Sequence, residues 1–261
     1  MAAACTPGAG PGTSTTQPHA SLPAPTAAST HSVPEQPCID SGTDRDIQRA
    51  LVGPGSEAVL CPNSVFRLGE TIEMTGEGQA IYTRGLPTDD TRALLVVDGP
   101  EVYVAVRAGN HDNVALRSVI VDGNAQLGRG PYGALIEWGG AASGHVVEDV
   151  KAYEPRGWSV LYLGEGDDRK CTEAVARRNE LGPAGHHVFG MADGISLACP
   201  NSIVESNTII DATDGGIVIF QAPGSLVANN TIIARTRIAF YGISMEDYGP
   251  WNGDFTGTRV V

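Results

Sequence analysis

The chain has 261 residues, among them 33 Gly and 17 Pro, with 6% aromatics, 18% charged residues and a formal net charge of −13. That acidity, with no Lys/Arg cluster, excludes nucleic acid as a partner, and no 18-residue apolar run is present to make a transmembrane helix. A polyanionic substrate is disfavoured too, unless Ca²⁺ bridges it to the protein. Many turn formers and few helix formers point to an all-β architecture.

Residues 1–37 are rich in Pro, Thr, Ser and Ala and carry almost nothing to bury, so a disordered low-complexity leader is expected there. Its "AAAC" resembles the end of a bacterial lipoprotein signal, which would make Cys5 a lipid-anchored residue on the cell surface; an incidental cysteine in a plain leader is the alternative. A folded domain is expected over 38–261, with 38–75 forming its cap and first coil. Within the cap, "GTDRDIQRAL" reads as one short amphipathic helix with Ile47, Ala50 and Leu51 on one face. A helix there would cover the open end of a stack and block edge pairing.

From Asn113 onward the chain repeats itself. Related segments begin at Asn113, His145, Ala174, Ser202 and Ser225, and the last two are nearly the same: "SIVESNTIIDATDGGIVIF" and "SLVANNTIIARTRIAFYGI". Val204 matches Val227, Asn207 matches Asn230, and Ile209 matches Ile232; Asn179 holds the same place one unit earlier. Strands this short bury a face only when stacked coil on coil. Stacked Asn side chains at a coil corner are structural. Asn229-Asn230-Thr231 also fits the glycosylation acceptor pattern. The final "GTRVV" reads as the opening strand of another turn, so the coil is expected to end in mid-turn.

Five cysteines occur without a CxxC spacing, which argues against a structural zinc site. Four fall into local pairs, Cys38–Cys61 and Cys171–Cys199, and are expected to be disulfides of an extracellular or cell-surface protein.

The segment "TDRDIQRAL…AVLCPNSVFRLGETI" resembles the opening of the pectate-lyase-like (pectin-lyase-fold) superfamily, where a D-x-x-x-I-Q-x-A helix caps the first coil. The resemblance spans about residues 40–261 and implies a right-handed parallel β-helix, a solenoid with an N-terminal capping helix. It implies carbohydrate as the partner and leaves the reaction open, since members include polysaccharide lyases, hydrolases, epimerases and non-catalytic surface proteins.

Chemistry in such a coil is expected on one outer sheet. Asp193 in "MADGISL" and Asp214 in "ATDGGIVIF" lie about one coil apart and are the candidate catalytic pair. They are similar to the stacked aspartates of polygalacturonase-type hydrolases, although the G-H-G and R-I-K of that type are missing. Two nearby carboxyls separate in pKa and can serve as acid and base. Aligning the two aspartates assumes one register; matching Gly194-Ile195 to Gly216-Ile217 would shift it by one residue. Two Asp-Gly turns are the plain alternative.

Glu154, Arg156, Trp158, His186, Arg237, Tyr248 and Trp251 fall at similar phases of the repeat and are candidate substrate-binding groups around one sugar groove, with Arg237 aligned to Asp214. Only one of the adjacent His186 and His187 can face a shared site. Glu165, Asp167 and Asp168 in "GEGDDRKC" are weak Ca²⁺ candidates, a solvated loop being the other reading. Two functional readings follow. One is a secreted polysaccharide hydrolase or lyase acting by acid/base chemistry. The other is a non-catalytic carbohydrate-binding or adhesion module.

Overall fold

The computed structural model of the protein describes residues 37–130, 133–164, 170–186, 190–249 and 253–261. Cys5 and the rest of the leader up to residue 36, the loop carboxylates Glu165, Asp167 and Asp168, His187 and Trp251 lie outside the described residues.

Each repeat supplies three short strands, and each strand joins a different parallel sheet. One coil, for instance, runs Ile203–Glu205, Thr208–Ile210 and Gly215–Ile219. Among the described residues the sheets have eight, seven and eight strands, stacked in chain order. This is a right-handed parallel β-helix, nearly all-β, with a single α-helix among the described residues. Successive coils lie one strand spacing apart, about 4.8 Å.

The repeat alignment read from the sequence matches the stacking. Val204 pairs with Val227, and Ile209 with Ile232. Val204, Ile209 and Val227 are buried in one continuous core that begins at Ile47 in the cap helix. Ile232 is half-buried and packs against that core. Glu205 pairs with Ala228 outside the core. Ala228 is nonetheless buried there. The segments begun at Asn113, His145 and Ala174 supply Ala115, Val146 and Val175, which are paired in turn. "GTRVV" pairs through Arg259–Val260 with Leu226–Val227.

The corner between the first and second strand of a coil is a single left-handed residue. Arg178, Ser206 and Asn229 have φ of 54°, 56° and 55°, and the Asn of the ladder follows each. The backbone N–H and the Nδ2 of Asn179 both donate to Asn207 Oδ1, at 3.0 and 2.9 Å. Asn207 makes the same pair of bonds to Asn230 Oδ1, both 2.9 Å. Asn207 Nδ2 also donates to the carbonyl of Ala176 at 3.0 Å. The buried corner thus leaves neither amide unsatisfied, which is why Asn recurs there.

The cap helix α1 spans Asp44–Ala50 and buries Ile47. Its end is clamped to the first coil: Gln48 Nε2 donates to Glu73 O at 2.8 Å, and Gln48 Oε1 accepts the Glu73 N–H at 3.0 Å. Cys38–Cys61 ties the segment before α1 to the end of strand Glu57–Leu60. Cys171–Cys199 joins the chain after strand Ser159–Leu163 to the chain after Asp193–Leu197, one coil on.

Candidate functional site

The outer face of the seven-stranded sheet is built from columns of stacked side chains. One column runs Glu73, Arg107, Glu137, Tyr162, Ser196, Val218, Ser244. Its first three members form an ion-pair ladder, with Arg107 at 3.0 Å from Glu73 and 3.3 Å from Glu137. Beside that ladder lie clefts of about 250 and 210 Å³ that share Arg107 and Glu137. Farther along, a third cleft of about 210 Å³ is lined by Asp193, Asp214, Tyr241, Ser244, Glu246 and Tyr248, with Val218 and Phe220 on its wall.

Both candidate aspartates line this third cleft, by a route that simple alternation does not give. The register is the shifted one: Ile195 pairs with Ile217, so the residue level with Asp193 is Gly215. Alternation from the inward Ile195 and Leu197 would also turn Asp193 into the core. The pairing of Ser159 with Asp193 is followed by Leu161 with Ile195, passing over Val160 and Gly194. Gly194 takes the inward place, where a Cβ would meet Ile209 at 2.5 Å. Asp193 therefore shares the outer face with Ser196, whose hydroxyl lies 2.8 Å from Asp193 Oδ2. Asp214 sits in the bend before its strand, where alternation does not hold.

Asp193 is only 5% exposed. Burial pushes its carboxyl up to about 7, aided by the negative charges of Asp214 and Glu246, while the Gly215 N–H and Ser196 bonds oppose the rise. Asp214 is half-buried and is also raised, by burial and by Glu246. Ser244 Oγ is buried at the cleft wall and has no hydrogen-bond partner among the described residues. An orphaned buried hydroxyl in a cleft is suited to a ligand hydroxyl.

The binding groups expected from the sequence are not all in one groove. Tyr248 is exposed at the rim of the aspartate cleft, 6.3 Å from Phe220 between ring centroids. Trp158 is half-buried on the same outer face, edge-on to Tyr162 at 4.9 Å, and it and Phe220 both pack against the cluster of Ala134, Tyr162 and Ala198. Arg237 is out of register with Asp214, because Gly215 pairs with Tyr241. It pairs instead with Glu154 and lines a separate cleft of about 540 Å³ with His186 and Arg129. The carboxylate of Asp211 fixes that position by accepting the N–H groups of Arg235 (2.5 Å), Thr236 (3.0 Å) and Arg237 (3.3 Å).

Arg156 departs furthest from expectation. It is 2% exposed, and its guanidinium donates to the carbonyls of Gly128, Gly99, Val102 and Pro100 at 2.6 to 3.0 Å, under the Tyr103 ring. With its donors spent on backbone, it braces the loops and reaches no ligand. Sequence reading missed Glu246, Tyr241 and Ser244. Tyr241–Met245 is a strand level with Gly215–Ile219, and that pairing brings Tyr241, Ser244 and Glu246 to the cleft.

Among the described residues no His, Cys, Asp and Glu side chains gather in threes as a metal ion would need, and no helix is long and apolar enough to cross a membrane. No protein-family model matches the chain, and no curated protein is similar to it. A solved structure, the alginate lyase from Paenibacillus sp. str. FPU-7, is similar at 12% identity, covering 85% of this chain and 98% of its own, with a TM-score of 0.45.

Proposed function

We propose that the chain is an extracellular, carbohydrate-active β-helix protein of the pectate-lyase-like superfamily that hydrolyses a neutral or weakly charged polysaccharide. The observation that carries this reading is a buried carboxyl raised to about 7 in an open cleft beside a second carboxylate. Protonated Asp193 is the general acid that gives its proton to the leaving glycosidic oxygen. Asp214 is the second carboxylate, acting on the anomeric carbon or on the attacking water.

The carboxylates of Asp214 and Glu246, joined by Asp193 as it gives up its proton, stabilise the positive charge that grows on the sugar ring as the bond breaks. The same charges disfavour elimination from a uronic acid, which builds negative charge on the substrate and calls for cations. Tyr241, Phe220 and Tyr248 offer ring faces to the sugar. Two disulfides favour an oxidising, extracellular setting.

A panel of neutral and acidic glycans, assayed with and without Ca²⁺ or EDTA, tests this. The expected products are new reducing ends from a neutral glycan, with no unsaturated sugar and no dependence on Ca²⁺. Unsaturated products from an acidic glycan would replace hydrolysis by elimination. Tight binding with no product would favour the binding module.

A further inference from the structure

Asp193 does not end in the cleft. Its Oδ2 lies 2.8 Å from Ser196 Oγ, Ser196 Oγ lies 2.9 Å from Ser159 Oγ, and Ser159 Oγ lies 3.1 Å from the carbonyl of Leu161. Both serines are fully buried. Two hydroxyls supply only two protons for three contacts, so the chain must choose a direction. We propose that Ser196 and Ser159 are positioning residues that form a reversible hydroxyl chain, letting Asp193 release and regain a proton without leaving a buried polar group unpaired. The proposal rests on the acid role given to Asp193 above.

With a glycan bound, the Asp193 O–H turns to the glycosidic oxygen and both serines reverse to donate towards Oδ2; in the resting protonated acid the O–H donates to Ser196, Ser196 to Ser159, and Ser159 to the Leu161 carbonyl. All three contacts are then hydrogen bonds. When Asp193 is ionised, Ser159 donates to Ser196 and Ser196 to the carboxylate. Only the Leu161 carbonyl loses a donor, and as a ladder acceptor it has a second lone pair to spare. Asp193 Oδ1 keeps the Gly215 N–H at 3.0 Å in both states. Rotating two hydroxyls interconverts them, with no heavy-atom movement. A general acid must cycle in this way once per turnover.

The charged groups facing Asp193 are Asp214 and Glu246, from the two following coils. Among the described residues the preceding coil presents Trp158 and Ser159, and the Arg156 guanidinium is turned to carbonyls. Ser196 is the side chain whose hydroxyl bonds the Asp193 carboxyl and stabilises its ionised form. A hydrogen bond to a charge is stronger than one to a neutral group. Deleting it costs the carboxylate more than the acid, so the pKa rises.

The test is a ¹³C-carboxyl titration of Asp193 by NMR, its resonance assigned with Asp193→Asn, alongside the pH profile of turnover. Ser196→Ala is expected to raise the Asp193 midpoint by about one pH unit and to move the alkaline limb of activity with it. Ser159→Ala should raise it by less, because it removes only the polarising donor behind Ser196. Ser196→Thr should restore the wild-type midpoint. A midpoint that Ser196→Ala leaves unchanged or lowers would overturn the chain, as would an Asp193 that titrates near 4 in the wild type. The predicted shifts without turnover of any glycan would uphold the chain and count against the hydrolytic reading.

Discussion

Asp193→Asn is expected to lower glycan turnover by about 10² or more while making the protein more stable above pH 7. The two effects share one cause. Burial raises the Asp193 carboxyl to about 7, whereas in the unfolded chain it titrates near 4. Between those values the folded state holds a proton that the unfolded state has lost. Stability therefore falls as pH rises through that window, and the full cost is present above about 7. Asparagine removes the cost because it is neutral at every pH. Its Oδ1 can keep the Gly215 N–H, and its Nδ2 can donate to Ser196 as the protonated acid does. The gain at pH 8 is on the order of 4 kcal/mol, from about three pKa units. Melting curves and initial rates at pH 5 and 8 check both halves. A variant that loses activity by unfolding would show lower melting temperatures instead.

Ile209→Asp is expected to unfold the domain. Ile209 is fully buried, stacked between Leu181 and Ile232, with Gly194 closely packed across the core. Losing such a side chain costs about 2–5 kcal/mol, and an unpaired charge between coils adds several more. A domain of ordinary stability has about 5–15 kcal/mol in all. Ile210→Asp, one residue along the same strand and only half-buried, is the control and should fold. Circular dichroism and a denaturant titration of both variants would read the difference. Equal stability for the two would contradict the stacked-coil packing.

The coil was legible in the sequence because stacking repeats its demands. Asn179, Asn207 and Asn230 meet the same buried corner on successive coils, so the same amide returns at each. The Ile and Val matches follow from the same repetition, and the cysteine pairs from their nearness along the chain. The site was legible only in part. Asp193 and Asp214 were found as carboxylates about one coil apart, with their register left open by one residue; the outward turn of Asp193 was not legible, because the pairing passes over Val160 and Gly194 and no periodicity announces that. Arg156 was misplaced because a long side chain at a corner can swing outward or under the loops, and the carbonyls that hold it come from residues 99–128. Glu246 and Ser244 were hidden because the last repeat diverges from "DGGIVIF" to "FYGISME", leaving only Gly-Ile to align. Arg237 looked level with Asp214 because 23-residue spacing fits the preceding strands, whereas the turn held by Asp211 is three residues longer.

The location of a bound sugar tests the central claim most directly. Asp193→Asn retains the cleft but cannot donate the catalytic proton, so it should trap an oligosaccharide of the glycan that the wild type cleaves. A crystal structure of that complex is predicted to show the chain of sugars along the outer face of the seven-stranded sheet. One glycosidic oxygen should lie within hydrogen-bond reach of residue 193, and a sugar hydroxyl should be paired with Ser244 Oγ. Sugar bound instead in the cleft of Glu154, His186 and Arg237, with the outer face of the sheet empty, would contradict the account.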